Sequence, residues 1–263
     1  MTKLLAALTF AACLIGGVAP ALTQERAATL DDMFREANNA FWSGDYEKAA
    51  DIYARIEEIG VRAPGLSFNR ATAEERLGNL GDAVLHYERV LRRDPGHEDT
   101  LYNLTIIRDY IARRANEDGR DADLAPHAGP WRAILDRFSP KSAAFAFLAF
   151  HMALFVILIL RRFVRSEMTR LTLGVLIGVL VILTFATGAV AIGKYDQEVN
   201  LREAIVTQGD TLEVMEGPSS EIRRFILEEG SRVRVLEIQD DWTKLRDDQG
   251  RDGWVRTEQI GEI

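Results

Sequence analysis

Two stretches of the sequence, GDYEKAADIY (residues 44–53) and GNLGDAVLHY (residues 78–87), align with each other at a spacing of 34 residues. Each begins with a glycine, has an alanine at its sixth position and ends with a tyrosine. Glycine suits the turn before a helix, the small alanine lets two helices approach closely, and the tyrosine one turn later fills the space between them. Asn69 and Asn103 are related by the same spacing, so we predict that pairs of helices repeat along this part of the chain.

The period of 34 residues is that of the tetratricopeptide repeat (TPR), and residues 30–115 resemble a TPR module. We predict an α-solenoid of two and a half repeats, because a polar tract from Asn116 to Asp123 follows the first helix of the third unit. Solenoid units bury their apolar faces only against their neighbours. So short a stack therefore needs a cap, supplied by its own last helix, by the membrane surface or by another protein.

TPR modules bind extended or helical segments on the face that the first helix of each unit lines. We predict that this face binds a partner protein, and the alternative for each of its aromatic residues is a place in the core between the helices. The candidate binding residues are Phe34, Asn38, Phe41, Trp42, Phe68, Glu75, Arg76, Tyr102 and Ile106.

Two apolar stretches, residues 142–160 and 171–192, each have about the 20 residues that a helix needs to cross a bilayer. The link between them, residues 161–170, carries four arginines and one glutamate. Positive charge favours the cytoplasmic side of a membrane. We therefore predict a two-helix hairpin in the bacterial inner membrane, with a cytoplasmic link and with the flanking domains in the periplasm.

The N-terminal segment, residues 1–23, has the pattern of a signal peptide. Lys3 precedes an apolar run that ends near the small residues Ala19 and Ala21. The alternatives are an uncleaved N-terminal anchor and a lipoprotein with its lipid on Cys13. A cleaved signal and a retained anchor both export the residues that follow.

The linker, residues 116–141, contains a short amphipathic pattern. Trp131, Ile134, Leu135 and Phe138 recur at the spacing of one helical face. We predict a short helix here, and two places for it remain open: the headgroup region of the membrane, or a position packed under the repeats.

Residues 199–263 contain short runs of alternating apolar and polar residues, such as 232–238 and 242–246, separated by glycine-containing turns. Strict alternation predicts half-buried strands, and we expect a barrel of about five strands. The module, from Gly217-Pro218-Ser219 to Gly253-Trp254-Val255, resembles a bacterial SH3 domain with its SH3-like β-barrel. Trp242 and Trp254 are candidates for its ligand-binding surface, and we expect one of them to be a core residue.

Composition and motifs argue against several classes of function. The formal charge of −8, with scattered basic residues, argues against nucleic-acid binding. The four histidines, His86, His97, His127 and His151, share no metal-ligand spacing, and the only cysteine is Cys13. The sequence contains no glycine-rich phosphate loop and no nucleophile elbow. We predict a non-enzymatic protein without a cofactor or a metal.

The order of export signal, TPR repeats, two-span hairpin and terminal bacterial SH3 domain resembles the BatE-type proteins of the Bacteroides aerotolerance family. The most specific residues are the Gly78–Ala83 turn, Asp94-Pro95 and Tyr102-Asn103-Leu104. The resemblance implies partnership with membrane-anchored von Willebrand A-domain proteins and, indirectly, with a MoxR-type ATPase.

These features lead to the hypothesis of a scaffold that assembles an envelope protein complex through periplasmic TPR and SH3 modules. One alternative is a cell-wall protein whose SH3 domain senses or binds peptidoglycan. A second alternative is a helper in the folding of secreted proteins. The short link between the two spans offers little cytoplasmic surface for signalling, which favours the scaffold.

Overall fold

The computed structural model describes residues 29–120, 124, 130–135, 137–200 and 202–263. The predicted signal segment, with Cys13, and the linker residue His127 lie outside the described residues. The chain divides into two compact units, of which the first ends at Gly78 and the second begins at Asn79.

Three helices form the described part of the first unit: α1 (residues 29–42), α2 (Tyr46–Glu58) and α3 (Pro64–Leu77). The side chain of Asp45 caps α2 by accepting a hydrogen bond from the main-chain N–H of Lys48. Pro64 is the first residue of α3, where a main-chain N–H would have no acceptor within the helix. Gly78 follows the last residue of α3 with a φ of +84°. The second of the two aligned glycines thus occupies a left-handed position that other residues rarely adopt.

The core of this unit combines small residues with one buried tyrosine. Alanines of α1 and α2, among them Ala37 and Ala49, are fully buried, so the two helices approach closely. The Tyr53 hydroxyl donates to Asn38 Oδ1 over 2.7 Å, and Asn69 Nδ2 donates to the same oxygen over 3.2 Å. This network links all three helices, and burial raises the pKa of the Tyr53 hydroxyl.

The second unit contains five helices among its described residues: α4 (Leu80–Arg93), α5 (Glu98–Glu117), α6 (Pro130–Leu135), α7 (Pro140–Phe163) and α8 (Glu167–Asn200). Between α4 and α5, Asn103 Nδ2 donates to the Tyr87 hydroxyl over 2.8 Å. Tyr53 and Asn69 make the corresponding contact 34 residues earlier. The aligned tyrosines and asparagines therefore make the same contact between helices in both repeats, as expected of TPR-like helical repeats.

Helices α7 and α8 form an antiparallel hairpin. Residues Pro140–Phe163 and Glu167–Asp196 are long and apolar enough to cross a membrane, and only 6% of the most apolar part of each is buried in the chain. Phe147 packs on Gly188, where an added Cβ atom would stand 3.2 Å from the ring. The turn covers only residues 164–166, because Arg161 and Arg162 continue α7 and Arg170 lies within α8.

The short helix α6 packs on the C-terminal part of α8. Leu135 is buried, and its side chain lies about 3 Å from the position that a Cβ atom of Gly193 would take. Trp131 contacts the same glycine from α6. Helix α6 ends at Leu135, so Phe138 of the predicted apolar face lies beyond it, and Ile134 is 46% exposed. Trp131 and Leu135 form the contact with the hairpin.

The C-terminal residues form a seven-stranded antiparallel sheet in the order β3-β2-β6-β5-β4-β1-β7. Its strands are β1 (Glu203–Val206), β2 (Thr211–Met215), β3 (Arg223–Glu228), β4 (Arg232–Gln239), β5 (Trp242–Arg246), β6 (Asp252–Arg256) and β7 (Ile260–Glu262). A 3-10 turn, Thr257–Gln259, separates β6 from β7. Alternate residues of β2, β4, β5 and β6 form the core, which includes Leu212, Val214, Val233, Leu245 and Val255.

The prediction of a barrel of about five strands was wrong in the number of strands and in the closure of the sheet. First, β1 buries consecutive residues, Ala204, Ile205 and Val206, and so lacks the alternation by which strands were recognised. Second, within the described strands the sheet is open, with β3 and β7 at its edges. At the β7 edge Gly261 lies against Leu85, so helix α4 covers the strand that would otherwise need a strand partner.

Candidate functional site

Four of the predicted binding residues lie on α1, and the three aromatic ones among them differ in exposure. Phe34 and Phe41 are partly buried against the core of the first unit, where Phe34 lies 6.0 Å from the Tyr53 ring. Trp42 is 82% exposed, although its edge touches Phe41. The two phenylalanines therefore serve mainly as core, and Trp42 is accessible to a partner.

The remaining candidates of the first unit lie on α1 and α3. Asn38 is engaged in the network with Tyr53 and Asn69, so its amide serves the helix packing. Phe68 and Glu75 are half-buried on α3, and Arg76 is exposed in its last turn.

Helix α5 carries the clearest exposed apolar stripe. Tyr102, Ile106 and Tyr110 follow one another at intervals of four residues and are 68%, 44% and 53% exposed. On the opposite side Leu104 and Ile107 are almost completely buried. A helix packed on one side and apolar on the other has a second face suited to a protein partner.

The sheet packs against α4 and α5, and glycines permit the closest contacts. A Cβ atom at Gly81 in α4 would stand 2.6 Å from the carbonyl oxygen of Val206 in β1. Gly230, in the turn after β3, lies against Val84 of α4 and Ile111 of α5. The SH3-like module thus covers the last two repeat helices, and supplies the cap that so short a repeat requires.

Three charged residues meet inside this contact. Glu88 of α4 is 5% exposed and accepts hydrogen bonds from Arg108 of α5 and Arg232 of β4. Burial alone raises the pKa of the Glu88 carboxyl, but the charges of Arg232 and Arg108 outweigh burial and hold the pKa below its usual range. Arg232 also lies 3.4 Å from Glu203 of β1. This ion triad connects two helices with the sheet.

Two further arginines, Arg114 of α5 and Arg120 beyond its C-terminal end, extend the contact to the end of β3 and the loop before β2. Arg114 pairs with Glu229 and lies 3.2 Å from a carboxylate oxygen of Asp210. Arg120 pairs with Glu228 over 2.7 Å. The polar residues at the end of β3 therefore determine how the sheet is seated on α5.

Trp242 and Trp254 lie on the face of the sheet opposite its core. Cross-strand pairing places Trp242 beside Arg256 and Trp254 beside Lys244. The Arg256 guanidinium is 4.7 Å from the centre of the Trp242 ring, and the Lys244 ammonium is 6.0 Å from that of Trp254. Both rings are half-buried and neither belongs to the core, where one of them was expected. Two aromatic–cation pairs are therefore brought together on one accessible face.

Sequence reasoning missed the residues that seat the sheet on the helices. One sequence signal was available: Ala83, Val84 and Leu85 are apolar at successive positions of α4. In the structure every residue from Ala83 to Glu88 is buried. A helix apolar on more than one face is covered on more than one side. That pattern does not identify the covering element, because Arg232 is more than a hundred residues away in sequence.

Among the residues that the structure describes, no group of three or more His, Cys, Asp or Glu side chains is placed to hold an ion. The geometry of the described surfaces, with apolar stripes and paired charges, suits the binding of proteins or peptides.

Comparison with known proteins agrees with this picture. Residues 213–262 match the family model of the bacterial SH3 domain. A stretch of 97 residues is 25% identical to the Photosystem I assembly protein Ycf3 of Synechococcus elongatus, covering 36% of this chain and 56% of that protein. Ycf3 of a second Synechococcus strain matches with the same values. The chain thus spans about half the length of the curated relatives it matches.

These similarities support two of the predicted modules. The SH3 domain is present in the C-terminal region, and the similarity to Ycf3 supports TPR-like helical repeats. Together, the two kinds of module suggest a role in protein–protein interaction.

Proposed function

We propose that this chain is a non-catalytic adaptor, anchored in the bacterial inner membrane by α7 and α8, that assembles an envelope protein complex. The helical repeats and the SH3 domain are its docking modules and lie in the periplasm. The family resemblance names the partners as membrane-anchored von Willebrand A-domain proteins and, indirectly, a MoxR-type ATPase.

The observation that carries this proposal is the exposed stripe of α5. Complete burial of a fully exposed apolar side chain contributes about 1.5–3 kcal/mol, and Tyr102, Ile106 and Tyr110 are each exposed by about half, so each offers a part of that energy to a partner. The opposite side of α5 is held by Tyr87 and by the sheet, so the stripe is presented by a supported helix. A rigid surface loses little entropy when a partner binds.

The name of the related Ycf3 proteins describes an assembly function, which supports an assembly role for the helical part of this chain. The arginines at the ends of α7 and α8 support the orientation, since positive charge at the turn of the hairpin favours the cytoplasm.

The proposal is tested by purifying the tagged full chain from detergent-solubilised membranes of its native bacterium. We expect one or two integral-membrane partners in stoichiometric amounts, including a von Willebrand A-domain protein. The double variant Tyr102→Ser/Ile106→Ser should lose most of this recovery, because both side chains are exposed and their loss leaves the fold intact.

The matched control is Thr105→Ala, an exposed position on the same helix whose hydroxyl contacts only the main chain of Leu101. It should retain full recovery. Stoichiometric recovery that the double variant leaves unchanged would show that the stripe is not the docking surface. Absence of any stoichiometric membrane partner would contradict the adaptor itself.

A second candidate function is the binding of peptidoglycan by the SH3 domain, and the exposed face with Trp242 and Trp254 favours it. In that case the full chain should sediment with purified cell walls. Trp242→Ser together with Trp254→Ser should abolish sedimentation, whereas the α5 double variant should leave it unchanged.

A further inference from the structure

A small cleft lies between the edge strand β3 and the turn that joins β5 to β6. It has a volume of about 370 Å³, within the range of small ligand sites. Five residues line it: Arg224, Phe225, Gly250, Arg251 and Asp252. None of them belongs to the helix stripe, the ion triad or the tryptophan pair.

Arg251 is held in place by its neighbours. Its Nε donates to one carboxylate oxygen of Asp247 over 2.6 Å, and its main-chain N–H donates to the other over 2.7 Å. Its guanidinium lies 4.3 Å from the centre of the Phe225 ring. These contacts orient the side chain while leaving its two Nη groups for a further acceptor.

Arg224 contributes a positive charge to the cleft, and its hydrogen bond is to a main-chain oxygen rather than to a carboxylate. Its Nη1 donates to the main-chain oxygen of Asp252 over 2.8 Å. The Asp252 carboxylate is already engaged by Arg246 through two hydrogen bonds of 2.5 and 2.9 Å, and the bond to Arg246 lowers the pKa of that carboxyl. Among the five lining residues two arginines accompany one aspartate, which leaves one positive charge on the lining in a chain of net charge −8.

The rest of the cleft can accommodate the part of a ligand that adjoins its carboxylate. Gly250 has a φ of +80°, and nothing lies within 4 Å of the position that its Cβ would occupy. Phe225 offers an aromatic surface, and the edge strand β3 offers main-chain groups to an extended chain. Guanidinium groups with fixed geometry are well suited to carboxylates.

We propose that this cleft binds the carboxylate of a peptide, supplied either by the peptide's C-terminus or by an acidic side chain. Arg224 and Arg251 hold the carboxylate, and Phe225 contacts the adjoining residue. The inference is independent of the adaptor proposal, since it concerns different residues and a different ligand chemistry.

The test uses the full chain in neutral detergent micelles and three hexapeptides that carry the same uncharged dye. One is polyalanine with a free C-terminus, one has a central glutamate and an amidated end, and one has a glutamine in its place and an amidated end. Fluorescence anisotropy should show binding of one or both carboxylate peptides, and the peptide that binds identifies the source of the carboxylate. The glutamine peptide should bind at least about tenfold more weakly.

Arg224→Gln and Arg251→Gln should each weaken the binding of the carboxylate peptide about tenfold or more. The matched control is Arg223→Gln, which removes a neighbouring exposed arginine that pairs with Glu213 outside the cleft. It should change affinity less than twofold. Arg224→Lys keeps the charge but loses the planar fork, and should lie between wild type and Arg224→Gln.

Equal loss in Arg223→Gln would indicate general charge attraction and overturn the proposal. Equal binding of the glutamine peptide, or no binding of any peptide, would overturn it as well. Displacement of the probe by inorganic phosphate at concentrations where acetate has no effect would assign the cleft to phosphate-bearing ligands instead. Circular dichroism of each variant verifies that the sheet is retained.

Discussion

Replacing Glu88 by glutamine is expected to loosen the sheet from α4 and α5. The Glu88 carboxylate is buried and shared by Arg108 and Arg232, whose side chains are only 16% and 17% exposed. Glutamine preserves the size of the side chain but removes the negative charge. Removing one partner from a buried ion pair costs about 3–5 kcal/mol, because the opposite charge stays buried without compensation.

The assay is hydrogen–deuterium exchange of β1 in the full chain, measured in detergent by mass spectrometry. If exchange of this strand proceeds through release of the sheet, 3–5 kcal/mol corresponds to roughly two to four orders of magnitude in rate. The control is Glu213→Gln, which breaks a pair with Arg223 on the outer face. Both side chains of that pair are more than half exposed, so the loss should be below about 1 kcal/mol.

A triple variant separates the role of charge from that of packing. Glu88→Leu with Arg108→Met and Arg232→Met removes all three charges, and apolar replacements of buried ion triads are often neutral or stabilising. Because Glu203 of β1 also loses its partner Arg232, we expect exchange of β1 to be closer to that of the unmodified chain than in Glu88→Gln, without full restoration. Unchanged exchange in Glu88→Gln, or a triple variant as loose as the single one, would refute the view that buried charge governs this contact.

Four further predictions concern Glu88, two helix glycines, Tyr53 and the turn of the hairpin. The folded-state pKa of Glu88 is lowered, so its stabilising effect is complete above the usual value of 4.5 and is lost as the pH falls through the lower folded value. Relative to the intrinsic amide exchange rate at each pH, exchange of β1 should therefore accelerate in that acidic range, and Glu88→Gln should reduce the acceleration. Gly81→Ala should disrupt the seat of the sheet, since its Cβ would meet main-chain atoms, whereas Gly65→Ala in α3 meets nothing and should raise stability by about 0.5–1 kcal/mol in thermal unfolding. Tyr53→Phe should cost about 1–2 kcal/mol of the stability of the first unit, measured by urea unfolding, because the hydroxyl loses its hydrogen bonds with Asn38 and Asn69. Ser166→Cys, in a chain without its native cysteine, should resist an impermeant thiol reagent in intact cells, and labelling there would place the turn outside the cytoplasm.

Local patterns were sufficient for the helices. Tyr53 and Tyr87 each follow an alanine by four residues, and each contacts an asparagine sixteen residues further on. Such contacts repeat because the two helices of each pair pack in the same way, and the period of the sequence therefore predicts them. The apolar stretches were equally readable, since a helix long enough to cross a bilayer needs an uninterrupted run of apolar residues.

The exposure of the candidate binding residues could not be predicted from the sequence, because the position of a residue along a helix gives its face but not what packs against that face. Tyr102 and Ile106 are exposed as expected of a docking surface. Phe34 and Phe41 occupy equivalent-looking positions but pack into the core. Whether an aromatic side chain is buried depends on neighbours that are distant in sequence, and a single helix does not encode them.

Sequence by itself determined the order of the modules, the repeat period and the alternating strands of the SH3 domain, since each depends on interactions between residues close along the chain. Only the tertiary structure decided where the SH3 domain sits. Val206 meets Gly81 and Arg232 meets Glu88 across more than a hundred residues, and no local periodicity records such a contact. The strand β1 escaped recognition for the same reason: its residues are buried on both faces, because α4 covers the side that would otherwise alternate toward water.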